Sequence, residues 1–322
     1  MKKAANIFFL CATILLTLQV TAEDYFWVGG QGNWSDLNSW RTATGQIPNE
    51  VPDETDNVIF NENSFTNKFD TVFVLTGNPT CKDMIWENIP DTVVISGGSP
   101  ITTFNIHGSI TLHRYLWNDY FGAIYLKSDS PDNTIRCDSS WFAGDLVFDG
   151  TGTYTLLDPL FVLDTASSAW STVIDTGVES LERPNPRIRH NKGTLDANEH
   201  TIVAMGYQSP AGYPRWLDIE NDTILIFGTW NLNALDMTLN AENSYFRYAN
   251  GGQMVHSGEG EELYYHDVDF NLIAGALANS NVRTYFRKVH FFGSGNVAGN
   301  KKEGLEGAFT IDTLLFDGGD AP

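Results

Sequence analysis

Arg183, Arg187, Arg189, His190 and Lys192 fall within ten positions of a chain that is otherwise strongly acidic. Guanidinium groups pair bidentately with carboxylates, so this cluster suits a uronate sugar or an acidic partner. An arginine can also serve as the base of a polysaccharide lyase. Trp170, Tyr207, Tyr213 and Trp216 lie in the same part of the sequence, and exposed aromatic faces stack on sugar rings through apolar contact and dispersion. The candidate ligand-binding set is therefore Trp170, Arg183, Arg187, Arg189, Tyr207, Tyr213 and Trp216. The competing reading is structural: a basic loop that neutralises nearby Asp and Glu, and aromatics that pin their own loops.

Catalytic and metal-binding patterns are weak. A glycoside hydrolase needs carboxylates converging on the glycosidic oxygen and a water, yet the acids here are scattered singly at turns. The spacing RPNPRIR does not match the arginine arrangement of a pectate lyase, and no catalytic residue is assigned. In YYHDVDF, strand alternation would turn His266 away from Asp267 and Asp269. DSPDN at 129–133 lacks the ordered acidic spacing of a calcium loop, and no His/Cys spacing resembles a zinc site. No metal and no cofactor is expected.

The elements that must position these residues are strands. Phe104, Ile106, Gly108, Ile110 and Leu112 alternate with polar residues, as do Leu146 to Leu156, Ile224 to Leu232 and Val289 to Val297. That period of two has one apolar face. Within each run a glycine takes an inward position, marking a bend or a close backbone approach. Gly108 and Gly150 are 42 residues apart, and Gly228 and Gly293 are 65 apart. A repeat near 20 to 25 residues fits an all-β, right-handed parallel β-helix or β-solenoid of about ten coils over 58–322. Tandem β-sandwiches are the alternative, since their turn signals also recur closely. Two proline-bearing stretches, at about 164–192 and 207–216, are expected to leave the walls as loop insertions.

The chain opens on Lys2, Lys3 and an apolar run from Ile7 to Leu18, followed by small residues at Val20 and Ala22. This predicts a signal peptide over 1–22, cleaved after Ala22, and a secreted or cell-surface location. The apolar run is too short for a membrane span. Removing Lys2 and Lys3 leaves 17 basic and 40 acidic residues, a formal charge of −23. Such a balance opposes nucleic acid, whose phosphates need cationic compensation. Cys81 and Cys137, 56 positions apart, would lie more than two coils apart, beyond disulfide reach. Two buried free thiols in a monomer follow.

WVGGQGNWSDLNSW spans Trp27 to Trp40 and places three tryptophans around a Gly-rich turn. A solenoid end exposes core and a pairing edge, so terminal units must be atypical. Trp27, Trp34 and Trp40 are accordingly expected to plug the first coil, within an N-terminal cap over 23–57.

With VPDETDNVIFN, CKDMIW, FNIHGSITLH, GTGTYTLLDPLFV, GTLDANEHTIV and FTIDTLLFDGG, the chain resembles the β-solenoid regions of large secreted adhesin-like surface proteins of gliding-type Bacteroidota, substrates of the type 9 secretion system. The opening motif carries that likeness most specifically. The resemblance implies a non-catalytic structural or adhesion module, with surface glycans or another surface protein as partners. A polysaccharide-degrading enzyme on the same scaffold is the alternative. The location would be periplasmic if no sorting domain follows Pro322. Asp-Thr before an apolar residue, at Thr71, Thr92, Thr165, Thr223 and Thr313, resembles the O-glycosylation signal of exported proteins from these bacteria, though it is also an ordinary turn-to-strand junction.

Overall fold

In a computed structural model the chain forms a β-solenoid of about nine turns, close to the ten expected. The described residues are 22–99, 101–163, 185–249, 252–259, 262–270, 275–292, 295–299 and 309–317. Each coil visits three walls in turn. The first wall is a ten-stranded sheet, from Trp40–Thr42 and Asp24–Trp27 to Met237–Asn240, and the third wall has ten strands, from Thr80–Cys81 to Gly295–Gly299. The second wall comes in two parts, of four and seven strands. Its strands break at Phe142, which makes only a single bridge to Val162.

Parallel pairing follows from winding, since each strand lies beside its counterpart one coil later. The register advances 19 residues from Ile188 to Tyr207 and 26 from Val58 to Met84, so coil length varies around the expected period. Alternation puts Phe104, Ile106, Ile124 and Leu126 inside, on one continuous core with Leu146 and Phe148. Gly150 sits at a corner where a Cβ would run into the Ser128 carbonyl of the previous coil. The inward glycines thus mark close approaches between coils.

The corner between the first and second walls is a repeated turn. Asp138, Asn198, Asn221 and Asn243 adopt φ of 45°, 51°, 61° and 56° there, conformations that Asn and Asp tolerate best after glycine. Backbone bonds from Ser140 to Cys137, Asp222 to Ile219 and Ser244 to Ala241, at 2.8, 3.3 and 3.2 Å, close equivalent turns.

At the N-terminal end, Trp40–Thr42 pairs antiparallel with Asp24–Trp27, the only antiparallel pairing among the described strands. Trp27, Trp34 and Trp40 are buried. Trp40 meets Trp27 and Trp34 edge to face, with centroids 5.0 and 4.9 Å apart. Two of the three indole N–H groups are held locally: Trp27 donates to Gly30 O at 2.9 Å and Trp40 to Trp34 O at 2.8 Å. Phe60 joins this cluster and stacks on Trp86 at 3.7 Å, tying it to the solenoid core.

The expected insertions are narrower than their sequence bounds. Ile188–His190, Tyr207–Ser209 and Arg215–Asp218 are wall strands, so among the described residues of 207–216 only those from Pro210 to Pro214 leave the ladder. Proline excludes itself from pairing, not its neighbours two positions away. Residues 164–184 lie outside the described residues. Cys81 and Cys137 are both buried and unpaired. Burial pushes the Cys81 thiol pKa upward and that of Cys137 to about 12.

Candidate functional site

The strand Arg215–Asp218 turns Arg215 and Leu217 inward and leaves Trp216 on the outer face of the first wall, 50% exposed. Thr194 and Thr238 flank Trp216 in register, and Asp196, Asp218 and Asn240 form the next outward row. Asn240 Nδ2 donates to Asp218 Oδ1 at 3.0 Å and to Glu220 Oε2 at 3.1 Å. An exposed indole amid short polar side chains and fixed carboxylates can stack on an apolar ring face while its neighbours accept hydroxyl protons. A cavity of about 640 Å³ opens beside it, bordered by Thr194, Pro214, Trp216, Asp236, Thr238 and Glu259.

Arg215 holds this corner together. Its Nε donates to Tyr213 O at 3.0 Å, Nη1 to Ser209 Oγ at 2.7 Å, and Nη2 to Asn233 O at 3.2 Å and to Leu235 O. The side chain is only 2% exposed, and burial lowers its pKa. Its planar fork bonds carbonyls and a hydroxyl of three chain segments, which fixes the turn carrying Tyr213. Tyr213 itself is 58% exposed, with Lys192 Nζ 5.4 Å from its ring centre. Arg215 was invisible as a structural clamp in the sequence, where YPRW suggested only an aromatic loop. The signal was its phase, two residues before inward Leu217.

The remaining candidates do not converge on this corner. Tyr207 is a correction: it is 2% exposed, stacks on Trp230 at 4.1 Å and belongs to the core. Its hydroxyl lies 2.9 Å from His190 Nδ1, while His190 Nε2 lies 2.9 Å from Gly193 O. A carbonyl only accepts, so His190 is the neutral Nε2–H tautomer, and burial lowers its pKa to about 4. His190 therefore leaves the basic cluster. Arg189 faces outward on the third wall and binds Asp145 at 2.7 Å, and the Arg187 backbone N–H donates to the same carboxylate at 2.8 Å. Alternation and the corner at 191–193 thus separate Arg187 and Arg189 from Trp216. Trp170 and Arg183 lie outside the described residues.

His266 also differs from expectation. Its Nδ1 lies 3.2 Å from Asp267 Oδ1, because the strand Leu263–Phe270 bends there and the pairing skips His266. Asp269 accepts the Tyr245 hydroxyl at 2.6 Å. Among the described residues no group of three or more His, Cys, Asp or Glu is placed to hold a metal ion, and no helix is long and apolar enough to cross a membrane.

Asp222 occupies the turn position that Ser140 and Ser244 take in other coils, and neither carboxylate oxygen has a hydrogen-bond partner. Burial, reinforced by Asp196, Asp218, Glu199 and Glu220, raises its pKa to about 7. Among the glycosylation candidates, Thr223 and Thr313 are exposed, while Thr71 and Thr92 are partly exposed. Thr71 Oγ1 donates to Phe69 O at 3.0 Å, and Thr165 lies outside the described residues.

Comparison with known protein families, characterised proteins and solved structures finds no match to this chain. Functional assignment rests on the surface just described.

Proposed function

We propose that this chain is a secreted or surface-exposed structural and adhesion module that binds glycans without turning them over. Residues 1–22 serve as its cleaved secretion signal, and the type 9 route is its way out of the cell. One observation carries the binding reading: Trp216 stands half exposed beside a 640 Å³ cavity, on a wall otherwise made of Thr, Asp and Asn. Leaving a large aromatic in water forgoes burial worth about 2 kcal/mol, which a ligand stacking on it recovers.

A glycan array read alongside intrinsic tryptophan fluorescence tests this. Binding that Trp216→Ala removes, with no reducing sugar or unsaturated product formed, supports the module. No glycan signal at any concentration sinks it.

Hydrolysis is favoured by one observation, that Asp236 and Glu259 both border the same cavity. Paired carboxylates are what glycosidic cleavage needs. Turnover of a bound oligosaccharide, abolished by Glu259→Gln, would establish that reading instead. O-glycosylation at Thr223 and Thr313 predicts an intact mass above that of the bare polypeptide in natively secreted protein.

A further inference from the structure

A second exposed aromatic lies in a strand of the second wall, Leu263–Phe270, whose start adjoins the end of the first-wall ladder. In Leu263–Phe270, Leu263 and Tyr265 point inward and Tyr264 outward, 55% exposed. Tyr285, one coil on, stacks on Tyr264 with centroids 4.7 Å apart and planes 7° from parallel. Both hydroxyls are anchored to Glu262: Tyr264 donates at 2.6 Å and Tyr285 at 3.3 Å. Tyr264 is thereby held by Tyr285 and Glu262, with Tyr285 covering one ring face.

Tyr264 borders a cavity of about 350 Å³, formed with Leu239, Asn240, Glu242 and His266 where the first-wall ladder ends at Met237–Asn240. Tyr285 covers Tyr264 from the following coil, whereas Leu239 to Glu242 belong to the preceding one. The cavity is at the small end of ligand pockets, about 300 to 1,000 Å³. It adjoins the Trp216 cavity directly, because one strand lines both: Met237 and Thr238 border the first, Leu239 and Asn240 the second.

We propose that the two cavities form one groove for a single extended, uncharged polysaccharide chain, with Trp216 stacking one ring and Tyr264 another. This rests on the glycan-binding reading of Trp216 and extends it to a second subsite and a substrate class. One strand spacing separates Trp216 from Thr238, and Tyr264 borders the second cavity beyond that strand, so the subsites are on the order of 10 Å apart. An extended pyranose chain advances roughly one strand spacing, ~5 Å, per ring. The groove therefore takes three or more rings.

Charge sets the class. Asp236, Glu259 and Glu242 border the groove and Asp196, Asp218, Glu220 and Glu262 flank it. The nearby cations are committed: Arg215 is buried on carbonyls, Arg283 lies 3.5 Å from Glu262, and Lys192 lies over Tyr213. Among the described residues, a uronate or sulfated chain would meet carboxylates with no uncommitted Lys or Arg bordering the groove to balance it.

The test is calorimetric titration of the mature protein with cellobiose, cellohexaose, hexa-N-acetylchitohexaose and hexagalacturonate. Trp216→Ala and Tyr264→Ala are compared with wild type, and melting midpoints near wild type confirm folding. A neutral hexamer binding about tenfold or more tighter than the dimer, with Tyr264→Ala removing about five- to tenfold of that and sparing the dimer, is the expected result. Hexamer affinity unchanged by Tyr264→Ala but lost with Trp216→Ala would overturn the continuous groove and leave the Trp216 site standing. Hexagalacturonate matching the neutral hexamers overturns the assigned class. Neutral oligosaccharides that ignore both substitutions, or fail to bind, remove the Trp216 reading as well.

Discussion

Arg215 and Trp216 are chain neighbours facing opposite ways. The guanidinium is sealed beneath the turn it bonds, while the indole stands on the outer wall. A strand's period of two allows one residue to build the corner and the next to serve it.

Arg215→Ala should cost about 3 kcal/mol of stability, since it leaves the Tyr213, Asn233 and Leu235 carbonyls without their donor. Arg215→Lys should restore little, because an ammonium cannot span the same fork of acceptors. Chemical denaturation of both variants measures this. Wild-type stability in Arg215→Ala would show that water replaces the guanidinium without loss.

The tryptophans should divide by location. Trp40→Ala removes a fully buried ring packed on Trp27, Trp34 and Phe60 and should cost about 3 to 5 kcal/mol. Trp216→Ala should fall within about 0.5 kcal/mol of wild type. Denaturation midpoints of the pair give a direct comparison.

Asp222 predicts a stability loss at neutral and alkaline pH. Its folded pKa, about 7, lies above the ordinary carboxylate value of 3.8, so the fold prefers the protonated form. The unfolded chain releases this proton at lower pH, so that contribution is complete below about 4 and drains away as pH rises to 7. Asp222→Ser, which copies Ser140 and Ser244, should stabilise the protein by about 2 to 3 kcal/mol at pH 8 and not at pH 3.5. Equal gains at both pH values would argue against ionisation as the cause.

The buried histidines act in the opposite sense. His190 and His256, lowered by burial to about 4 and about 3, stay neutral in the fold. The unfolded chain binds their protons first as pH falls below about 6.5, so stability is lost from there down to about 4. In the Asp222→Ser background, free of the opposing carboxylate, denaturation midpoints should decline steadily over that window. Flat midpoints would place the histidines in contact with water.

Thiol reagents should find Cys81 and Cys137 silent in the native mature protein and release two equivalents on unfolding without reductant. No release would mean that the two are bridged.

Much of the fold was legible because strand alternation is local. Phe104 and Ile106 declare an inward face from their own neighbours, and the glycines at 108 and 150 mark close approaches to the previous coil, by the Asp83 side chain at 108 and by backbone at 150. The candidate binding face was legible only in part. Tyr213 and Trp216 were found by type, but Tyr207 was misplaced because an aromatic near prolines reads the same in a loop as in the first strand before it. Tyr264 sits in YYHDVDF, where His266 and the acids are the residues whose types suggest chemistry. Its alternation with Leu263 and Tyr265 was the available signal.

By itself the sequence determined a stack of strands, an aromatic first coil, and which residues of each strand face in or out, since all of these depend on neighbours a few positions away. Only the tertiary structure decided which coils bring which residues together: Thr194 and Thr238 beside Trp216, Asn240 beside Tyr264, and Arg189 on another wall. Those meetings depend on the register between coils. Register accumulates over turns and loops of unequal length, from 19 residues between Ile188 and Tyr207 to 42 between Leu146 and Ile188, and no local pattern records that sum.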